Sequence, residues 1–182
     1  MKKFDIYLQN VRIRKAAAFI REGDRVLDIG ASDGELFQRV AKISEGVGIE
    51  PHVKQKISRD RYTLLPGYFP DALQDDRKFD AVVMLAVVEH IPVETLKQMA
   101  VAIESRLNPA GRLIITVPDP KVDKILDVLL KFKIIDGMDV DEHYGYDFHL
   151  TESIFAVGQM SLLKKKKFQL GLNNLFVFEK SK

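Results

Sequence analysis

The stretch RVLDIGASDGELF, residues 25–37, decides how the rest of the chain is read. Val26-Leu27-Asp28-Ile29 is an apolar run with the length of a short buried strand. Gly30-Ala31-Ser32-Asp33-Gly34 stops it. A helical pattern then starts at Glu35, with Leu36, Phe37, Val40 and Ala41 on one face. Strand, glycine turn, helix is how an α/β protein points backbone N–H groups at a ligand. The glycines let the backbone approach closely and take φ > 0. Asp28, at the carboxyl end of the strand, can accept hydrogen bonds from the loop or from a cationic part of a ligand. A tight turn with no ligand is the bland alternative.

Working outward, Ile13, Ala16, Ala17 and Ile20 form a helical stripe over Val11 to Arg21, with Gly23 placed to cap it. After the glycine loop the pattern predicts a helix from Glu35 to Ser44. Val47-Gly48-Ile49-Glu50 reads as a second strand closed by Pro51, Val53 to Ile57 as a short helix, and Tyr62 to Leu65 as a third strand. Phe79 to Leu85 is the strongest strand. Its Ala81–Leu85 run has no polar break, as a parallel strand covered on both faces requires. Pro92 then sits at a helix start, followed by the stripe Leu96, Met99, Ala100, Ile103 and Leu107. Asn108-Pro109-Ala110-Gly111 ends it, and Leu113 to Val117 is a fifth strand.

Alternating strands and helices imply a parallel sheet with helices on both faces. Right-handed crossovers gather every loop that follows a strand on one edge. That edge collects Gly30–Gly34, Glu50, Gly67–Phe69, Leu85–His90 and Pro118–Pro120. Past Pro118 the alternation stops. Val122, Ile125, Leu126 and Leu129 suggest a helix, and Asp136 to Leu150 has no period. A segment of that length in a compact domain is expected to be a lid or binding loop, here an insertion at about 119–150. It holds His143, Tyr144, Tyr146 and His149. Thr151 can cap a helix to about Met160. Lys164–Lys167 reads as a solvated connection. Lys167–Gly171 and Leu175–Glu179 read as two strands joined so briefly that they pair antiparallel.

The totals narrow the classes. A chain of 182 residues, 46% hydrophobic and 30% charged, reads as a single globular domain over residues 1–182. Net charge is +2, so no nucleic-acid partner is expected. There is no cysteine, hence no disulfide framework and no thiolate metal site; no metal is expected. Ala81 to Val88, the longest apolar run, is too short to span a bilayer. The start, MKKFDIYLQN, carries no apolar signal segment. These features together read as a cytoplasmic protein; oligomeric state is not legible.

Glu50 lies about 20 residues past the glycine loop, where doubly wound sheets place an acid on an adenosine ribose. An exposed strand-end carboxylate is the alternative. The loop lacks the third glycine of G-x-G-x-x-G, and a pyrophosphate would face Asp28 and Asp33. A ligand with an amino group and a sulfonium suits these acids better.

VLDIGASDG, GIEP, FDAVVMLAVVEHIP and LNPAGRLIITVP, in this order and spacing, resemble the successive motifs of class I S-adenosylmethionine-dependent methyltransferases. The branch resembled is that of small-molecule enzymes including the ubiquinone-biosynthesis O-methyltransferases. The match covers roughly positions 11 to 120. It implies a doubly wound, Rossmann-like seven-stranded sheet, mostly parallel with an antiparallel C-terminal hairpin. It implies S-adenosylmethionine as cofactor, with Gly30, Ser32 and Gly34 along its methionine part. Asp28 would hold the loop and the amino end, Glu50 the ribose, and Met84 and Leu85 would lie against the cofactor. Ser32 stands where a glycine is usual. Gly67-Tyr68-Phe69 stands where the family has Gly-Asp, so Tyr68 or Phe69 would stack on adenine instead. The acceptor would be a small molecule or a glycan- or lipid-linked precursor, methylated on O or N. His90 is the candidate base, and His143, Tyr144, Tyr146 and His149 the candidate acceptor contacts. Two other readings stay open: a nicotinamide-dependent oxidoreductase, and a non-catalytic domain that binds S-adenosylmethionine.

Overall fold

The computed structural model describes residues 3–119 and 146–182, with side chains from Ile6 onward. Helix α1 (Lys3–Ala17) leads into β1 (Arg25–Ile29), α2 (Glu35–Arg39) and β2 (Glu45–Glu50). Strands β3 (Ile57–Ser58) and β4 (Tyr62–Pro66) precede β5 (Phe79–Leu85). A 3-10 turn (Val88–His90), α3 (Val93–Arg106) and β6 (Leu107–Pro118) follow. The chain then runs through α4 (Leu150–Phe155), β7 (Met160–Phe168) and β8 (Asn173–Lys180).

One sheet of eight strands orders them β3-β4-β2-β1-β5-β6-β8-β7. β1 pairs in parallel with β2 on one side and β5 on the other. β2–β4 and β5–β6 are also parallel, while β8 and β7 close the far edge antiparallel. The chain builds outward from β1 to β4, then returns to lay β5 on the opposite side of β1. That reversal opens a crevice at the carboxyl ends of β1 and β5, the place where open α/β sheets bind ligands.

The two sheet faces carry separate cores. Val26, Ala81, Val83, Ile114 and Val177 face α1 and α2, against Ile13, Ala16, Leu36 and Phe37. Leu27, Val82, Met84, Ile115 and Phe176 face α3 and α4, against Leu96, Ile103, Ile154 and Phe155. Successive residues of a strand point to opposite faces, so an unbroken apolar run such as Ala81–Met84 feeds both layers. Phe79 and Phe176 have no exposed surface. Truncating either to alanine would cost about 3–5 kcal/mol.

Several expectations change in detail. The eighth strand is β3: Ile57 and Ser58 pair antiparallel with Leu64 and Thr63 at the sheet edge, and no helix forms over Val53–Ile57. Helix α2 ends at Arg39, five residues before the expected Ser44. The lysine run is a strand rather than a connection, because Lys164–Lys167 pair with Asn174–Val177 of β8. Lysines suit that edge position, where they discourage pairing with another chain. The expected helix near Val122 and most of the proposed lid, with His143 and Tyr144, lie outside the described residues.

Candidate functional site

A cavity of about 1120 Å³ occupies the crevice. Its walls come from the ends of β1, β2, β4 and β5, from α1, and from the start of α3. The loop after β1 is held tightly. Gly30 and Ala31 both donate to the Ile49 carbonyl, at 2.9 and 3.3 Å, and Gly34 donates to Ala31 at 2.8 Å. Gly30 has φ +79, and a Cβ there would sit 2.4 Å from a methyl of Val87. Only glycine lets the β1 and β5 loops come this close. Ser32 takes φ +48, a left-handed conformation uncommon for a residue with a side chain.

Glu50 is the hub of the loops. It is 8% exposed and lines the cleft. Its Oε2 accepts the Ser32 N–H at 2.9 Å, while Oε1 accepts the His52 N–H at 3.0 Å and lies 2.7 Å from His52 Nδ1. Burial raises its pKa, but the hydrogen bonds from His52 and Ser32 outweigh this and leave it below the usual glutamate value. Glu50 is therefore a carboxylate at neutral pH, and an ionised carboxylate only accepts.

Asp28 behaves differently. It lines the cleft at 4% exposure, and burial, then the neighbouring charges of Glu35 and Glu50, push its pKa up to about 8. Among the described residues no hydrogen bond reaches its carboxyl, so the loop is held by Glu50 and not by Asp28. A buried acid of this kind favours a cation placed beside it.

The other sequence-derived residues separate. Gly67, Tyr68 and Phe69 all line the cleft, Tyr68 with 73% of its surface exposed, while Phe69 is 6% exposed and also packs in the core. Leu85 lines the cleft, but Met84 turns into the core with no exposed surface. Gly34 starts α2 and lies off the cleft; a Cβ there would meet the Tyr62 ring at 2.8 Å. His90 closes the 3-10 turn after β5 and faces the cleft, exposed. Tyr146 is 8% exposed, with its hydroxyl 3.0 Å from Thr151 Oγ1. His149 lies over the Phe148 ring with centroids 4.1 Å apart, and neither Tyr146 nor His149 reaches the cleft walls.

Several wall residues escaped the sequence reading, among them Gln9, Arg12 and His52. Gln9 and Arg12 project from α1 into the cleft. Arg12 is the one arginine or lysine among the described lining residues, set against Asp28, Glu35, Glu50 and Asp71. Gln9 Oε1 is buried without a hydrogen-bond partner. For Gln9 and Arg12 the available signal was their spacing of three, which puts both on one side of a helix.

A methyltransferase-domain family model matches residues 5–149. The chain belongs to that family. Membership carries the enzyme class: an S-adenosylmethionine-dependent methyltransferase of class I, with that sulfonium compound as its cofactor. The nicotinamide alternative falls with it. Among curated proteins none matches this methyltransferase. Solved structures share its fold. The N-methyltransferase NodS from Bradyrhizobium japonicum matches 98% of this chain and 97% of its own, with TM-score 0.64 at 10% identity. Magnesium protoporphyrin IX methyltransferase from Synechocystis, solved with bound SAH, matches over 96% and 82%, with TM-score 0.64 at 17% identity. The pyocyanin biosynthetic protein PhzM matches over 95% of this chain at TM-score 0.69 and 13% identity, but the match spans only 55% of PhzM. Among the described residues, no helix is long and apolar enough to cross a membrane.

The residues present suit the cofactor. An ionised, buried Glu50 suits a ribose diol, and an unpaired buried Asp28 suits an amino or sulfonium cation. An exposed tyrosine on the wall suits a base.

Proposed function

We propose that this methyltransferase transfers its methyl group to an oxygen or nitrogen of a small molecule, or of a glycan- or lipid-linked precursor. The observation that carries this is the size of the cleft. About 1120 Å³ exceeds the ~300–1000 Å³ typical of a single ligand pocket, leaving room for donor and acceptor together. The net charge of +2 favours a small acceptor over a nucleic acid. Absence of cysteine suits a cytoplasmic setting. The neighbours include an N-methyltransferase, and the narrower likeness to ubiquinone-pathway O-methyltransferases points to oxygen; both atoms stay within the proposal.

When bound, the sulfonium supplies an already activated methyl group, so transfer is an in-line displacement. The protein's task is alignment, which can contribute ~7–11 kcal/mol in favourable cases. Glu50 accepts from the ribose hydroxyls. Asp28 faces the cationic end, and Arg12 with Gln9 takes the amino-acid carboxylate, which the surrounding acids would repel. Tyr68 covers the base. His90, on the 3-10 turn beside the transfer point, removes the proton of a hydroxyl acceptor and adds ~10²–10⁴-fold.

Calorimetry with S-adenosylmethionine and its demethylated product tests the reading. Micromolar affinity is expected for the native chain. Glu50→Ala should weaken it at least tenfold, about 1.4 kcal/mol for a lost pair of charged hydrogen bonds. Undiminished affinity would remove Glu50 from the site. An inert His90→Ala effect on a hydroxyl acceptor would remove the base.

A further inference from the structure

The two oxygens of Glu50 offer about four lone-pair positions. Three are in use. Oε2 takes the Ser32 amide, and Oε1 takes both the amide and the ring nitrogen of His52. One position remains, whereas a ribose diol brings two hydroxyl donors. One existing bond must therefore give way before the sugar is fully held.

The three partners are unequal. The Ser32 amide belongs to the glycine loop that the Ile49 carbonyl pins. The His52 amide belongs to the turn that closes β2, where Val53 donates back to the Glu50 carbonyl at 3.3 Å. Neither backbone group can leave without remodelling its loop. The His52 ring is the one partner on a rotatable side chain. That side chain is 94% exposed, so its pairing with Glu50 is screened by water and weak. It also has somewhere to move. His52 lines the cofactor cleft and a second, smaller cavity of about 220 Å³ bounded by Ser32, Asp33, Glu50 and Val53.

We infer that the His52 imidazole is a stand-in for the ribose: it holds Glu50 Oε1 when no nucleoside is bound and swings away when one enters. His52 thereby sets cofactor affinity by internal competition, while keeping the Glu50 carboxylate aimed and satisfied between turnovers. This rests on the ribose assignment of Glu50 proposed above. A ligand facing a site that is competent only part of the time shows an affinity reduced by that fraction. For an exposed pair of this kind the reduction is about two- to sixfold.

The test compares the native enzyme with His52→Ala, binding S-adenosylhomocysteine, together with nitrogen-detected NMR of the His52 ring. Because the side chain is exposed, the variant should fold normally; unfolding in urea checks this. The inference expects His52→Ala to bind two- to sixfold more tightly. It also expects the His52 Nδ1 resonance of the native enzyme to move on saturation towards its position in Glu50→Gln. Equal or weaker binding by His52→Ala, or a ring resonance indifferent to ligand, overturns it. Failure of the native enzyme to bind at all is a different result: it sinks the ribose assignment, and this inference with it.

Discussion

The loops after β1 and after β4 face each other across one cleft, yet they are built on opposite plans. The first is a backbone device. Gly30, Ala31 and Gly34 are tied by main-chain bonds, Ser32 is bonded to Glu50, and its left-handed positions fix where each N–H points. The second is a side-chain device. Phe69 is driven into the core as an anchor, and its neighbour Tyr68 is left as an exposed ring on the wall. In the proposed function, preorganised polar groups serve the sugar and the charged end, and a flat apolar surface serves the base. The contrast shows why the first loop depends on glycine, since a Cβ at Gly30 would meet Val87 at 2.4 Å.

Alanine at Phe69 and at Tyr68 should split the second loop's two roles. Phe69→Ala is expected to lower stability by about 3–5 kcal/mol, read from urea unfolding. Tyr68→Ala should leave stability nearly intact and weaken S-adenosylhomocysteine binding by about 1 kcal/mol, the low end for an aromatic ring stacked on a base. If Tyr68→Ala binds normally, the second loop is not a base platform.

Asp28 gives a pH test of the first loop. Its ordinary carboxyl pKa of 3.8 in the unfolded chain rises to about 8 in the fold. Below pH about 4 both states hold the proton, and the group does not bias folding. Between about 4 and 8 only the folded state holds it, so stability falls as pH rises, by up to ~1.4 kcal/mol per pH unit. Asp28→Asn should flatten that slope in urea unfolding measured from pH 5 to 8. A cationic ligand favours the ionised form, so binding at pH 7 should release a proton. Calorimetry in buffers of different ionisation enthalpy reads this, and proton uptake would contradict the pairing.

The smallest effect belongs to Ser32. At φ +48 it holds a conformation that costs a residue with a side chain about 1–2 kcal/mol. Part of that gain is returned through the freer unfolded chain of a glycine variant. Ser32→Gly should stabilise the protein by about 0.5–1 kcal/mol in the same unfolding assay, with the Glu50 bond to the amide retained. A destabilised variant would mean that the serine side chain contributes something the backbone geometry does not show.

Much of this was readable from residues alone. The runs at Val26–Ile29 and Ala81–Leu85 announced strands buried on both faces, and the spacing of Glu50 from the glycine loop placed it on the edge where the structure finds it lining the cleft. Other features depend on parity and docking. Met84 and Leu85 are equally apolar in sequence; one residue of strand phase sends the first into the core and the second to the cleft. Val53–Ile57 has too little apolar pattern to show that its end would join β4 as an edge strand. Lys164–Lys167 hid a strand because an edge strand exposed to water needs no apolar alternation.

The sequence by itself determined the parallel sheet, the place of the ligand edge and the acid at the end of β2. These follow from local periodicity and from the few residues that can turn a chain sharply. Only tertiary structure decided that Gln9 and Arg12 enter the cleft, that Asp28 is buried enough to hold its proton, and that the His52 ring sits against Glu50 Oε1. Each is a relation between groups that local periodicity does not fix, and burial, shifted charge and side-chain contact exist only once the chain is packed together.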